Sequence, residues 1–586
     1  MKLKKLGIYI LSALLAVLLI HPALSASAKT EDEVYDIFKY RVDETEETVT
    51  VTGYTQEPSG ELVIPGSISG FPVVSVGKEA FKGCKKISSV ILSASVKEIG
   101  LSAFANCTGI SFVDFSNVQT LFWYAFENCS RIKELSLPET LFDVDRYAFS
   151  GCTGISSLTL PDGVHHMGDG AFMGCSSLEV VNTGAKLKKI GAQAFKDCSA
   201  LKSVTIGESV YSIGSNAFEG CFQLSDVIYN ESLTEICEYA FSGCKGLIRL
   251  DLPDTVVSIG EGAFQNTGLY DITLGESLKE IGDKAFYNCD GITDICFPDN
   301  FTDLGEYSFG ECSSLKNVSL GKNTEKIGKG AFSCCKALTL VLIGDKLEYI
   351  GELAFEKCVL LKTIHLGKHV QFIGEGAFSK CASLERIVIP DSVTDMESRV
   401  FNGCDHLTSV YLGTGLTYIP ALTFCDCELL QCAILPSNIR QIEPNAFLDC
   451  SHLKTVFLPS SVMTVDYSAF EGCDNLSDVY YGGPLSNWNK IYIDDGNDNL
   501  RRAQLHEYSS AQDVPGYTSG FDDKGDADLN GKIDMSDVVL IQKHIARLIE
   551  LSPMQYKVAD ADSNGIVNMD DVIILQRVIA GLIKSL

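Results

Sequence analysis

The chain has 586 residues, of which 46% are apolar, and a formal net charge of −29 at pH 7. This length predicts more than one domain, and the apolar content is sufficient for a substantial core. The acidic charge argues against nucleic acid and anionic membrane surfaces as partners, and it suits a protein that meets divalent cations.

The N-terminal segment has the features of an export signal. Lys2, Lys4 and Lys5 precede an apolar run, and small residues at 26–28 follow it. We predict a signal peptide over residues 1–28 rather than a transmembrane anchor, because the run is short and ends at a small-residue cleavage site. The sequence shows no lipoprotein cysteine ahead of Cys84 and no apolar span at its C-terminus. We therefore expect a secreted, extracellular protein without an anchor of its own.

A motif of the form Ala-Phe-x-x-Cys recurs with little variation along most of the chain. Eighteen units are spaced 23 residues apart, with two steps of 22. The repeated phenylalanines are Phe81, Phe104, Phe126, Phe149, Phe172, Phe195, Phe218, Phe241, Phe264, Phe286, Phe309, Phe332, Phe355, Phe378, Phe401, Phe424, Phe447 and Phe470.

Each unit also contains two short extended segments. In one unit, residues 201–206 have the alternation of a strand, and residues 210–214 form a second extended segment that ends at a turn. A unit of this size cannot bury its own apolar side chains, so stacked units must share one core. The predicted fold class is therefore a β-rich repeat solenoid of the right-handed leucine-rich-repeat kind, with one short parallel strand per unit.

The repeat pattern closely resembles the BspA-type (Treponema-type) leucine-rich repeats of bacterial surface proteins, over about residues 50–505. The resemblance implies ligand binding or adhesion and no catalysis. It also implies caps at both open ends of the solenoid, where core and strand edges would otherwise be exposed. We assign residues 29–75 to an N-terminal cap, 76–480 to the repeats and 481–508 to a C-terminal cap.

The cysteines follow the repeat. Seventeen of the 22 lie three residues after the repeat phenylalanine, and Thr267 takes that place in one unit. A position that accepts threonine is not half of an obligatory disulfide. We predict a ladder of small, inward-facing thiols, which suggests an anaerobic habitat because exposed free thiols oxidise in air. Metal binding at Cys425 and Cys427, or beside Cys334, is a weaker alternative because no histidine cluster is nearby in sequence.

The sequence gives no basis for catalysis. It holds none of the motifs of zinc proteases, serine hydrolases or P-loop nucleotidases, and no repeat-free stretch is long enough for a catalytic domain. We predict that the protein is not an enzyme. A polysaccharide hydrolase with side chains from several turns is the least favoured alternative.

A ligand site is predicted on the concave strands. Side chains ten places after each repeat phenylalanine should point outward, and this column changes along the chain from small polar residues to apolar and aromatic ones. Exposed apolar and aromatic patches tend to mark contact sites. The predicted stripe consists of Val388, Tyr411, Ile434, Phe457 and Tyr480; the alternative is that the cap or a loop covers it.

Two calcium loops follow a polar linker over residues 509–524. Hard cations prefer oxygen ligands at alternate loop positions around a turn glycine. The first loop offers Asp526, Asp528, Asn530, the carbonyl of Lys532, Asp534 and Asp537. The second loop offers Asp560, Asp562, Asn564, the carbonyl of Ile566, Asn568 and Asp571. We predict two bound calcium ions.

Each loop is followed by an apolar helix, and no helical pattern precedes the first loop. This loop–helix arrangement resembles a type I-like dockerin over residues 525–586, which implies a cohesin domain as partner. The contact positions of that family correspond to Met535, Ser536, Gln542, Lys543, Arg547, Met569, Asp570, Gln576 and Arg577. Many members have Ser-Thr where this chain has Met535 and Ser536, which leaves the cohesin type open. The two copies agree at most contact positions, which suggests binding in two orientations.

The sequence therefore predicts a secreted, non-catalytic component of a cellulosome-like complex. Its dockerin would join a scaffold protein (scaffoldin), and its solenoid would present a recognition surface for a protein or a polysaccharide. The alternatives are a cell-surface adhesin tethered through the dockerin and a calcium-stabilised terminal cap without a partner.

Overall fold

The computed structural model describes residues 32–344, 346–515, 535–545, 551, 559–561 and 566–579. The predicted signal peptide lies outside these residues. Residues 32–515 form a β-solenoid with a cap at each end, and two helices form a small C-terminal module. The predicted fold class is confirmed. Among the described residues, no helix is long and apolar enough to cross a membrane.

The N-terminal end is closed by a small antiparallel unit. Three strands, β1 (Glu33–Tyr35), β2 (Phe38–Asp43) and β3 (Thr48–Tyr54), pair in antiparallel order. β3 then pairs in parallel with β6 (Phe71–Val76), which also pairs with the short β5 (Ser67–Ile68). This unit covers the first turn, so its edge is not left open.

The turns build two ladders of parallel strands, and strand pairing within the front ladder is interrupted so that it comprises five sheets. The front ladder consists of β4 (Gly60–Ile64), β7 (Ile87–Leu92), β9 (Phe112–Asp114), β12 (Ser157–Leu160), β14 (Val180–Thr183), β16 (Ser203–Thr205), β18 (Asp226–Ile228), β20 (Arg249–Asp251), β22 (Asp271–Thr273), β24 (Asp294–Cys296), β26 (Asn317–Ser319), β28 (Leu340–Leu342), β31 (Arg386–Ile389), β33 (Ser409–Leu412), β35 (Cys432–Ile434), β37 (Thr455–Leu458), β39 (Asp478–Tyr481) and β41 (Gln504–His506).

The back ladder continues the sheet of β3 and β6. The second extended segment of each unit forms its strands. Its strands are β8 (Glu98–Ile99), β10 (Thr120–Leu121), β11 (Asp143–Val144), β13 (His166–Met167), β15 (Lys189–Ile190), β17 (Ser212–Ile213), β19 (Glu235–Ile236), β21 (Ser258–Ile259), β23 (Glu280–Ile281), β25 (Asp303–Leu304), β27 (Lys326–Ile327), β29 (Tyr349–Ile350), β30 (Phe372–Ile373), β32 (Asp395–Met396), β34 (Tyr418–Ile419), β36 (Gln441–Ile442), β38 (Thr464–Val465) and β40 (Tyr492–Ile493).

The repeat phenylalanines form one continuous stack through the core. Consecutive ring centroids are 4.9–5.8 Å apart with interplanar angles of 2–19°. All eighteen rings are buried. Each buried ring removes roughly 150–250 Å² of surface from water, so the stack is a large part of what holds the turns together.

The cysteine ladder lies beside this stack. From Cys107 to Cys473, each ladder thiol donates to the carbonyl of the phenylalanine in the preceding turn, at Sγ–O distances of 2.9–3.3 Å. Thr267 occupies the corresponding position but donates to the carbonyl of Phe264 in its own turn, at 2.8 Å. The seventeen ladder cysteines are buried and free, so the prediction of inward-facing thiols is confirmed.

Two corner residues in each turn adopt the left-handed conformation, two places before and two places after the phenylalanine. Glycine and asparagine recur there because they tolerate positive φ best. Where the earlier corner holds a bulky residue, the next turn can require glycine: the ring of Tyr147 lies where a β-carbon on Gly170 would stand. Tyr239 and Gly262 repeat this arrangement.

The C-terminal cap replaces the missing next turn. It contains α1 (Leu485–Trp488), β40, α2 (Asp498–Arg502), β41 and a 3₁₀ turn (Ala511–Asp513). Phe470 is the last of the stack, and its backbone N–H donates to Oδ1 of the buried Asn497 at 2.9 Å. In earlier turns this N–H donates to a carbonyl of the following turn, as Phe447 does to Ala469. Asn497 thus satisfies a buried donor that would otherwise be left without a partner.

The C-terminal module contains α3 (Met535–Ile545) and α4 (Met569–Ile579). Val538, Ile541, Val572 and Leu575 from the two helices form its buried core with Leu551 and neighbouring residues. Val538 corresponds to Val572 and Ile541 to Leu575 in the two loop–helix copies, so equivalent positions of the two helices form the core.

We predict that Gly170→Ala destabilises the solenoid more than Gly243→Ala does. Both glycines have positive φ, but a β-carbon on Gly170 would collide with the Tyr147 ring, whereas nothing lies within 4 Å at Gly243. The overpacking should cost roughly 1–3 kcal/mol beyond the backbone penalty that the two variants share. Urea unfolding followed by circular dichroism measures the difference. Equal losses would contradict the proposed contact.

We also predict that the thiol ladder resists alkylation in the folded protein. Burial raises the pKa of Cys152 and Cys198 to about 12, so these thiols remain protonated at pH 8. Iodoacetamide at pH 8, read by mass spectrometry, should modify the exposed Cys296 first and the ladder only after addition of urea. Labelling of the ladder at the rate of Cys296 without urea would refute the prediction.

Candidate functional site

The five predicted stripe residues form one in-register row on the front ladder. Tyr411 pairs with Val388 and Ile434, and Phe457 pairs with Ile434 and Tyr480. The row therefore crosses β31, β33, β35, β37 and β39, as the column of the repeat predicts. The sequence analysis did not include the cap strand β41, whose His506 pairs with Tyr480 and extends the row.

The row is only partly open. Tyr411 is 38% exposed, whereas Phe457 is 9% exposed. Val388, Ile434 and Tyr480 are half-buried. At Phe457 the structure agrees with the alternative that the cap covers the stripe, because the Phe457 ring lies beside Gly482 and faces the same cavity as Ala511.

That cavity, which we call the cap pocket, has a volume of about 330 Å³. Strands β33, β35 and β37 and the turns after β33 and β35 form one side, and the start of the 3₁₀ turn forms the other. Its lining comprises Ser409, Val410, Tyr411, Leu412, Thr414, Cys432, Ile434, Leu435, Pro436, Ser437, Phe457, Ser510 and Ala511. No charged side chain is among these described lining residues.

His506 fixes the last member of the row. Its ring stacks on Tyr480 with centroids 4.5 Å apart and an interplanar angle of 12°. Its Nε2 lies 2.7 Å from Oδ1 of Asp478, and hydrogen bonds from Ser477 and His506 lower the pKa of that carboxyl. The sequence signal for His506 was weak because the cap has no Phe-x-x-Cys motif to set its register.

The described part of the C-terminal module contains five of the predicted calcium ligands. Asp537 and Asp571 are fully buried, Asp560 and Asn568 are half-buried, and Ile566 is exposed. Asn568 and Asp571 cap α4 reciprocally: Asp571 Oδ2 accepts from the Asn568 N–H at 2.8 Å, and Asn568 Oδ1 accepts from the Asp570 N–H at 2.6 Å. Asp526, Asp528, Asn530, Lys532, Asp534, Asp562 and Asn564 lie outside the described residues.

These groups fit a hard divalent cation. A buried carboxylate is costly unless it is paired with positive charge or coordinates a metal, and the module buries one in each copy. All the predicted donor atoms are oxygens, which is the donor set that calcium prefers. Within the described stretches alone, no three acidic, histidine or cysteine side chains converge on one point.

The predicted cohesin contacts lie on the two helices. Gln542, Gln576, Met569 and Asp570 are exposed, and Lys543 is half-buried. The structure places Met535, Ser536 and Arg577 within helices without describing their side chains, and Arg547 lies outside the described residues. The corresponding positions Gln542 and Gln576 are thus both accessible, one on each helix.

Comparison with protein families identifies both parts of the chain. The family described as BspA type leucine rich repeat region (6 copies) matches in four overlapping stretches that run from residue 64 to residue 477 of 586. The chain belongs to the BspA-type leucine-rich repeat family. Residues 524–580 match the dockerin type I domain, so this member of the family combines its repeats with a dockerin.

Solved structures are similar to the repeat region. A leucine-rich repeat protein from Bacteroides ovatus has 26% identity and a TM-score of 0.50, with 77% of this chain and 99% of that chain covered. A leucine rich cell surface protein from Faecalibacterium prausnitzii has 22% identity and a TM-score of 0.32, covering 80% and 99%. The Treponema pallidum leucine rich repeat protein has 28% identity and a TM-score of 0.30, covering 37% and 91%. No curated protein matches the chain.

We predict that the full chain binds two calcium ions and that Asp571→Ala binds one. Asp571 is buried and supplies the last carboxylate of the second loop, so its loss should remove that site. Asp570→Ala is the matched control, because its exposed neighbouring carboxylate lies outside the ligand positions. Isothermal titration calorimetry gives the stoichiometry. An unchanged stoichiometry for Asp571→Ala would contradict the assignment.

Proposed function

We propose that this protein is an exported, non-catalytic recognition component that a cohesin-bearing scaffold recruits in the presence of calcium. One observation carries the proposal: a dockerin type I domain follows a leucine-rich-repeat solenoid that already has its own C-terminal cap. A module needed only to close the solenoid would repeat what Asn497 and the cap already do. The function of the tail is therefore to bind a partner.

In this proposal, calcium binding controls whether the cohesin-binding surface is folded. Asp537 and Asp571, whose carboxylates are buried, lie in the first turns of the two helices. The same helices carry the predicted cohesin contacts. Burial of these carboxylates is less costly when a cation neutralises them, so calcium would favour folding of the module. Gln542 and Gln576 are exposed on the same two helices. Metal binding thereby controls the surface that a cohesin would contact.

The solenoid supplies the recognition surface. Its front ladder offers one outward column whose residues become apolar and aromatic towards the C-terminal turns, and Tyr411 remains exposed there. The acidic residues of the repeats are spread along the turns, and this distribution gives no indication of a catalytic site. In this proposal the complex is cellulosome-like and its source an anaerobic bacterium, and the buried thiols suit that setting.

We predict that the full chain binds cohesin domains in calcium and loses binding in chelator. Because the two copies carry matching contact residues, Lys543→Glu alone or Arg577→Glu alone should weaken binding less than tenfold. The double variant should weaken it at least a hundredfold, since a charge-reversed residue would then face the cohesin in either orientation. Calorimetry against a panel of cohesins, with and without chelator, measures these affinities.

The control for that experiment is a charge reversal on the solenoid, Lys202→Glu, which should leave cohesin binding unchanged. Lys202 pairs with Glu179 on the solenoid surface, outside the dockerin match. Absence of binding to every cohesin in calcium would overturn the proposal. Binding only to cohesins of wall-anchored proteins would favour the tethered adhesin over the soluble complex.

A further inference from the structure

We propose that the cap pocket binds a single apolar side chain, aromatic or aliphatic, that a protein partner presents between basic residues. This inference rests on the proposed function in one respect: it takes the solenoid to be a recognition surface. It assigns the place on that surface, the class of ligand and the chemistry that selects it.

The pocket is apolar at its base. Phe457 is 9% exposed and faces the cavity, and Ile434 and Leu435 line the same side. Tyr411, at 38% exposed, stands in the same row of the ladder and lines the cavity too. Binding energy at protein interfaces concentrates in pockets of this kind, where a large side chain is fully desolvated and nearby contacts exclude water.

Three hydroxyl groups of the lining are already engaged within the protein. Thr414 Oγ1 donates to Asp391 at 3.0 Å, and Ser510 Oγ donates to Asp513 at 2.7 Å. Ser409 Oγ accepts from Arg386 Nε at 3.2 Å. A sugar ring carries several hydroxyls that need hydrogen-bond partners when they are buried. The lining offers few, and this favours an apolar side chain over a polysaccharide.

The size of the pocket agrees with this choice. Its volume of about 330 Å³ lies at the lower end of the range of roughly 300–1,000 Å³ found for small-molecule sites. A single side chain with its backbone atoms suits such a space better than a run of sugar rings. In the same column, Ile228 is 54% exposed, whereas Phe457 is 9% exposed.

Acidic groups outnumber basic ones beside the pocket. Asp391 and Asp513 accept hydrogen bonds from Thr414 and Ser510 of the lining, whereas one basic group, Arg386, donates a hydrogen bond to Ser409. Hydrogen bonds from Ser510 lower the pKa of Asp513 below its ordinary value, and a carboxyl with either pKa is ionised at neutral pH. Lysine or arginine beside the inserted side chain would meet these charges, whereas acidic neighbours would be repelled.

Binding of simple probes to the full chain tests the inference. The probes are three acetylated pentapeptide amides, Lys-Lys-Phe-Lys-Lys, Lys-Lys-Ala-Lys-Lys and Glu-Glu-Phe-Glu-Glu, and the sugar cellotriose. Affinities are measured by saturation-transfer NMR titration in calcium. The basic phenylalanine peptide should bind at least about fivefold more tightly than the basic alanine peptide, which isolates the pocket from general attraction to the acidic protein.

The variants locate the site. Ala511→Trp should fill the pocket and Tyr411→Ser should remove part of its lining, and each should abolish the preference for phenylalanine over alanine. Ile228→Ser, in the same column, should leave that preference intact. Asp391→Asn should reduce the advantage of the basic over the acidic phenylalanine peptide. The melting temperature confirms that each variant is folded.

Three results would overturn the inference. These are equal binding of the phenylalanine and alanine peptides, a preference that survives both Ala511→Trp and Tyr411→Ser, and cellotriose binding that Ala511→Trp abolishes. The last result would assign the pocket to a carbohydrate instead. Cohesin titration of the same samples reports on the proposed function separately, so failure of one claim is distinguishable from failure of the other.

Discussion

The stacking of each turn on the next is the constraint on which the rest of the structure depends. A turn of 23 residues cannot cover its own phenylalanine, so each ring is buried by the rings of the adjacent turns, with centroids 4.9–5.8 Å apart. The same proximity brings the thiol of one turn to the phenylalanine carbonyl of the turn before. Backbone corners follow the same rule, because the ring of Tyr147 leaves no room for a β-carbon on Gly170. A residue in such a solenoid is therefore selected by its neighbour in the next turn more than by its neighbours in sequence.

This constraint explains how much of the fold could be predicted. Since every turn repeats one set of contacts, the period of the phenylalanines determines strand register, and Val388, Tyr411 and Ile434 fall in one row as their spacing predicts. The thiol ladder was predictable for the same reason, because Thr267 at one of its positions indicated that the position is not half of an obligatory disulfide. Inside the repeats, periodic sequence translates directly into periodic structure.

The sequence was a weaker guide where the repeat ends. The cap brings His506 beside Tyr480 and places Ala511 across from Phe457, and neither position follows from a spacing of 23. The sequence left open whether the stripe is exposed or covered, and the answer depends on a non-repeating segment that returns over it. The strand ladder alone forms only one wall of the pocket. The cap segment that returns over the row of side chains supplies the second wall. The sequence analysis did not assign Cys432 to a pocket for a similar reason. Its position within the repeat does not indicate which cap residues lie opposite it.

The two parts of the chain also differ in what their stability depends on. The described core of the solenoid consists of apolar and neutral polar side chains, and burial raises the pKa of ladder thiols such as Cys152. The tail instead buries a carboxylate in each copy, at Asp537 and Asp571, and a bound cation would stabilise both. In the proposed function, a change in calcium concentration would then act on the tail more than on the solenoid. This separation suits a protein whose recognition surface must persist while its attachment to a partner is made or released.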